Sequence, residues 1–275
     1  MAGATLSISA GSALGATTVY YNKYNAGNAP GVGGTDGWVN NTGAGPDFTG
    51  LPSGSTPFGF TGAVANWAVH ATGVNDTATV SRSDALATYG VAADIDTAKG
   101  AWNDGYPGNT TSNKGWAHNT DIGLFKSAVT QNVTINLASV SGAWNNFGVS
   151  VFKGMDSGNG SYSHHATWNS NYCPGCTPSS TGTVTNNGPM GILATDLIYK
   201  THTDNSIVTF TAQAGQVYSI LLGGYSGAGN FGPHDGYVAS ITTSAVPLPA
   251  AVWLFTPAIA GAFSFGRRKT RATTA

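Results

Sequence analysis

The chain has 275 residues and a mass of 27.9 kDa, of which only 8% are charged. Its 12 acidic residues are all Asp and Gly numbers 39, a composition that excludes the Glu- and Lys-rich solvated helices of a helical cytosolic enzyme; 41% hydrophobic and 11% aromatic content excludes disorder. The formal charge of −1 conceals a balance of −5 before residue 245, from seven basic and 12 acidic residues, and a terminal cluster of Arg267, Arg268, Lys269 and Arg271, so the body of the chain offers no electrostatic footprint for nucleic acid.

Residues 1–16, MAGATLSISAGSALGA, combine a weak apolar stretch with small residues around Ala13 and Ala16, like the cleavage zone of a signal peptide. No Lys or Arg precedes Lys23, so the basic leading region is missing. Two readings stay open: a signal peptide truncated by a late start, which export would favour, or a first strand over residues 4–9. From 17 to 244 the chain has no linker, charge run or long repeat, and a single β-sandwich or jelly-roll domain is expected there. Period-2 patterning and β-branched content predict strands over Thr17–Tyr21, Ala65–Ala71, Thr77–Arg82, Asp121–Lys126, Val133–Ala138, Phe147–Phe152, Ser206–Thr211, Gln216–Leu222 and Tyr237–Thr243. One short helix is expected over Asp84–Tyr89, capped by Ser83 and ended by Gly90.

Several chemistries are excluded outright. Without Glu there is no HExxH zinc site and no EF-hand ending in Glu; no GxSxG elbow and no Gly-Lys pair occur. The GxGxxG at Gly227–Gly232 is followed by Pro233, His234 and Asp235 and not by a helix, so it reads as a hairpin loop and not a dinucleotide site.

The remaining candidates are taken in chain order. Aromatic residues beside Asp-Gly can stack on the apolar face of a sugar ring; Trp38 and Trp102, read as loop residues, are the candidates for glycan contact, whereas Trp67 falls inside a predicted strand and is assigned to the core. Asp94 and Asp96, two apart on a strand, would share a face as a carboxylate pair for glycoside hydrolysis, although nothing else marks a cleft. The loop Asp156-Ser-Gly-Asn159-Gly-Ser could supply oxygen ligands to Ca²⁺, or be an ordinary turn. His164 and His165 could bind a metal in a loop, with His118 or Asp156 closing the shell; on a strand they would point to opposite faces. Cys173-Pro-Gly-Cys176 admits a redox motif, half of a zinc site, or a small disulfide loop, and export favours the disulfide.

The order of Asp121–Ser127, Val133–Leu137, Phe147–Gly154, Thr209–Gly224 and Asp235–Thr243, with Ala212-Gln-Ala-Gly-Gln-Val-Tyr218 opening a hairpin, resembles bacterial pre-peptidase C-terminal-like jelly-roll domains. That resemblance implies a non-catalytic accessory or adhesive sandwich.

The last segment, 245–275, is the most specific. Residues 246–265, VPLPAAVWLFTPAIAGAFSF, carry no charge and as a helix would span about 30 Å, a bilayer core. Arg267, Arg268 and Lys269 follow as a basic stop, which places the tail in the cytoplasm and the preceding chain outside. A Pro-rich motif, Val246-Pro247-Leu248-Pro249-Ala250, then one apolar span and a basic tail over 267–271 resembles the PEP-CTERM sorting signal in its VPLPA form, with Leu248 where the commonest form has Glu. The resemblance implies recognition by an exosortase-type membrane enzyme, transient anchoring by a transmembrane helix, cleavage near the motif, and a place at the cell surface or in a matrix with exopolysaccharide as a partner. Beside this structural or interaction role stand a carbohydrate- or calcium-binding module and a glycan-acting enzyme.

Overall fold

The computed structural model describes residues 17–23, 47–60, 65–104, 114–116, 120–142, 146–155, 197–201, 207–225 and 234–247. In chain order these form β1 (Thr18–Tyr21), β2 (Trp67–Ala71), β3 (Thr77–Val80), α1 (Arg82–Tyr89), β4 (Asp96–Asp104), β5 (Lys114–Trp116), β6 (Asp121–Ser127), β7 (Gln131–Ser139), β8 (Phe147–Lys153), β9 (Leu197–Thr201), β10 (Ile207–Ala212), β11 (Val217–Tyr225) and β12 (His234–Ala245). All nine expected strands form, and β4, β5 and β9 are additional. The architecture is all-β with one short helix. Among the described residues no helix is long and apolar enough to cross a membrane; the expected span lies outside them from residue 248 on, as does residues 1–16.

Two sheets face each other. One runs β1-β2-β6-β11-β8-β9 and the other β3-β12-β7-β10. Neighbours are antiparallel except β2 and β6, which run parallel. Strand β4 joins the sheets: Asp96–Ala98 pairs with Gly236–His234 of β12, while Lys99 and Trp102 lie beside Gly224 and Tyr225 of β11. Strands β11 and β12 therefore flank β4 and do not pair with each other. The hairpin expected at Gly227–Gly232 is corrected on this point: that segment connects two strands separated by a third. The hairpin expected at Ala212–Tyr218 is corrected as well. A turn closed by the Gln216 N–H on the Gln213 carbonyl (3.2 Å) carries the chain from β10 in one sheet to β11 in the other.

Burial follows the layering. Strands β7, β10 and β12 alternate: Val133, Ile135, Leu137, Val208, Phe210, Tyr237, Ala239 and Ile241 point inward, with polar residues and Val238 between them. They meet Trp67, Val69, Phe125, Val149, Val151, Ile220 and Leu222 of the other sheet. That sheet is buried on both faces, as its near-continuous buried runs in β6, β8 and β11 show. Its outer face, with Ala68, Ile122, Leu124, Phe152 and Leu221, packs under Phe48 and Phe60 of the segment 47–60.

The helix begins two residues earlier than expected. Ser81, extended at φ −164°, is the N-cap, and its Oγ accepts from Asp84 N–H at 3.0 Å, so β3 stops at Val80 and Ser83 is the second helical residue. Gly90 closes the helix in the left-handed region at φ +69°.

Trp67 and Gly123 are paired in register on β2 and β6, and the indole lies over the glycine. A Cβ on Gly123 would lie 2.1 Å from Trp67 Cζ2. The indole is fully buried and has nowhere to move. Gly123→Ala is therefore expected to destabilise the fold by about 3 kcal/mol through overpacking, read as a lower urea midpoint; an unchanged midpoint would refute the packing account.

Candidate functional site

Most of the residues singled out from sequence lie outside the described residues: Trp38, His118, Asp156, Asn159, His164, His165, Cys173, Cys176, Leu248, Pro249, Ala250, Arg267, Arg268 and Lys269. Trp102 is corrected from loop to strand, opposite Trp116 in the β4–β5 pair. Asp94 and Asp96 do not sit on one strand. Val91–Ile95 is bent by successive three-residue turns, with Ala93 N–H on the Val91 carbonyl and Ile95 N–H on the Ala93 carbonyl, both 3.1 Å, and β4 starts only at Asp96. Asp96 instead meets His234, with Oδ1 3.2 Å from Nδ1. Among the described residues no group of three or more His, Cys, Asp or Glu could hold a metal ion.

Three arrangements were not foreseen from sequence. The first is a buried hydrogen-bond chain between the sheets. Trp67 Nε1 donates to the Tyr237 hydroxyl at 2.8 Å, which donates to Asp121 Oδ2 at 2.7 Å. Indole and phenol are fully buried and Asp121 nearly so. Burial first, then the charge of Asp121 and the hydrogen bond to it, push the Tyr237 phenol well above its ordinary range. The arrangement is chemically inert at neutral pH: a neutral phenol between a donor and a carboxylate, closed to solvent.

The second is a groove of about 270 Å³ where β1 and β3, at corresponding edges of the two sheets, run past α1; Thr17, Val19, Thr77, Thr79, Asp84 and Tyr89 are among its lining residues. Phenols close this edge where ladder bonds are missing. Tyr89 OH donates to the Val19 carbonyl at 2.7 Å, and Tyr21 OH to Asp84 Oδ2 at 2.7 Å while accepting from Ser81 N–H at 3.2 Å. Burial, then the bond to Asp84, raise the Tyr21 phenol as well. The groove holds one carboxylate, already engaged, and no basic residue.

The third is the outer face of β3-β12-β7-β10. Cross-strand register aligns its outward residues in rows: Thr77, Thr242, Thr134 and Thr209 in one; Thr79, Ser240, Asn136 and Ile207 in the next; Ser244, Asn132 and Thr211 in a third. Each is exposed or half-buried, and none is charged. Thr211 Oγ1 donates to Asn132 Oδ1 at 2.9 Å, so neighbouring strands also bond through these side chains. The signal for the face was present in Val133-Thr-Ile-Asn-Leu137 and Val208-Thr-Phe-Thr211, read there only as strand alternation.

No family model and no curated protein matches the chain. Among solved structures, it is similar to the pre-peptidase C-terminal domain of collagenase from Bacillus anthracis, at 12% identity and a TM-score of 0.25, over 63% of this chain and 93% of that one. At that score the likeness supports no conclusion about this chain; its two-sheet architecture follows from the strand pairings.

Tyr237→Phe removes the acceptor of the Trp67 N–H and a donor to Asp121, and is expected to lower stability by about 2 kcal/mol. Because the folded phenols of Tyr21 and Tyr237 titrate above the unfolded value of about 10, their contribution is complete below that pH and is lost as pH rises through it toward the folded values. Urea midpoints taken from about pH 8 to about pH 11 should fall for the wild type and fall less steeply for Tyr237→Phe; parallel curves would contradict this assignment.

Proposed function

We propose that the chain is an exported, non-catalytic β-sandwich protein of the cell surface or extracellular matrix, sorted and processed through its C-terminal segment. The observation that supports this most is the junction after β12. The last strand ends at Ala245, and Val246 and Pro247, the first residues of the sorting motif, follow at once and are exposed. A motif outside the packed core is one a membrane-bound processing enzyme of the exosortase type can reach. Among the described residues, Asp76, Asp84, Asp121 and Asp235 accept hydrogen bonds from the protein's own backbone or hydroxyls, and Asp96 pairs with His234, which supports a non-catalytic role for these carboxylates. A glycosidase would need a free pair across a cleft.

A glycan-binding module is the second reading, favoured by the uncharged hydroxyl face of β3-β12-β7-β10.

The test is the location and mass of the mature protein in its native host. Cell fractions probed with an antibody to the sandwich, with the C-terminus identified by mass spectrometry, should give a product ending between Val246 and Ala250 outside the inner membrane. An inner-membrane protein still ending at Ala275 would refute processing, and a cytoplasmic one would refute export.

A further inference from the structure

We propose that the outer face of β3-β12-β7-β10 is a docking surface for a single chain of neutral polysaccharide, lying across the strands along the row Thr77, Thr242, Thr134 and Thr209. This names the ligand class of the second reading above and takes its biological setting from the export reading.

The argument begins with charge. No Asp, Lys, Arg or His lies in the three rows, and His234, at the far end of β12, is paired with Asp96, so the rows have nothing to neutralise a polyanion or to pair with a charged peptide. The body of the chain, at −5 before residue 245, adds repulsion for polyanions. What the face does offer is hydroxyls and amides that both donate and accept. They repeat at about 4.8 Å across strands and about 6.8 Å along them. A polymer with hydroxyls on every unit can use such a lattice; a ligand with one or two polar groups cannot.

Stiffness adds to this. Thr has few χ1 choices on a strand, and Thr211 is further held by Asn132, so little rotamer freedom remains to be lost on binding. The Thr methyls lie beside the hydroxyls and can meet the C–H faces of sugar rings. Sheet twist then decides between a lone chain and a solid. Neighbouring strands rotate by about 20–25°, so a flat crystalline surface would touch only part of the face, whereas one flexible chain can follow it. Each hydrogen bond is exchanged for one to water and is worth little alone; affinity comes from repetition along the chain.

The experiment uses purified full-length protein in native gels cast with dextran, with mixed-linkage β-glucan or with alginate. Retardation by at least one neutral polymer and none by alginate is expected. Thr134→Val together with Thr242→Val keeps β-branched residues in place and removes the two central hydroxyls; the apparent dissociation constant should rise about five-fold or more. Ser53→Ala, an exposed hydroxyl deletion in the segment 47–60 that packs on the other sheet, should leave it unchanged. If the first pair disturbs folding, Thr79→Val with Ser240→Ala in the next row repeats the test. The proposal is overturned by no retardation in either neutral polymer, by equal retardation in alginate, or by binding that survives both pairs. It is also overturned by a concentration-dependent dimer in sedimentation velocity that the Thr134/Thr242 pair abolishes, since a second copy would then cover the face. Fractionation reads export separately: a cytoplasmic protein that still binds through this face removes the export reading alone, and an exported protein that binds neither neutral polymer removes the docking face alone.

Discussion

The contact on which the rest of the fold depends is the indole of Trp67 lying over Gly123. It is a constraint of volume first. The indole is among the largest side chains in the core, and it fits because the residue beside it in the parallel β2–β6 pair has no Cβ. It is a constraint of polarity second. A buried indole N–H needs an acceptor, and Tyr237 on the facing sheet supplies it. The Tyr237 hydroxyl then returns to Asp121, two residues before Gly123 on β6. The chain of bonds therefore passes from one sheet to the other and back. Nondirectional hydrophobic contact would let two sheets slide over each other; this chain fixes their relative register.

The two sheets differ in how they use water, and the proposed docking surface rests on that difference. The β1-β2-β6-β11-β8-β9 sheet is covered on its second face by Phe48 and Phe60 and their neighbours, so most of its side chains serve packing. Among the described residues, the β3-β12-β7-β10 sheet packs on one face and turns Thr, Ser and Asn outward on the other. A chain with so few charges keeps such a face wet through hydroxyls and amides, and those are the groups able to exchange water for another polyhydroxylated surface. Low charge, strict alternation and an open face are thus one property seen at three levels.

What could be read from the sequence was local. Alternation in Gln131–Ser139 and Ile207–Ala212 gave strands, and Gly90 gave the end of the helix, because strand polarity and a left-handed cap are decided by neighbouring residues. Strand β4 was missed because Asp96-Thr-Ala-Lys-Gly-Ala mixes poor strand formers; it is held by pairing with β12 and β11. Both hairpins were misjudged for one reason. Turn residues at Gly227–Gly232 and at Gln213–Gln216 mark a change of direction, but they do not reveal whether the next strand lies alongside, beyond an inserted strand, or in the opposite sheet. Ser81 and Ser83 both offer a hydroxyl ahead of Asp84, and only the extended backbone of Ser81 separates the two as caps. The strand position of Trp67 marks it as core, but nothing there marks the Gly123 against which it lies. Its partner across the sandwich, 170 residues from Trp67 at Tyr237, left no local trace.

The edges of the sandwich are closed without many charges. Edge strands elsewhere are commonly guarded by Lys or Pro, and β1 and β3 have neither: Thr-Val-Tyr-Tyr and Thr-Ala-Thr-Val. The Val19 carbonyl accepts from the Tyr89 hydroxyl, and the Tyr21 hydroxyl, bonded to Asp84, also lies 3.1 Å from the Thr79 carbonyl; Thr49 N–H donates to the Tyr21 carbonyl and Tyr21 N–H to Thr49 Oγ1. Thr17 Oγ1, bonded to Asp76 at 2.7 Å, ties the approach to β1 to the turn before β3. Neutral hydroxyls thus take over at the edge the part that charge usually plays. They leave the outer face of β3-β12-β7-β10, and not its β3 edge, as the place where this sheet is open to a partner.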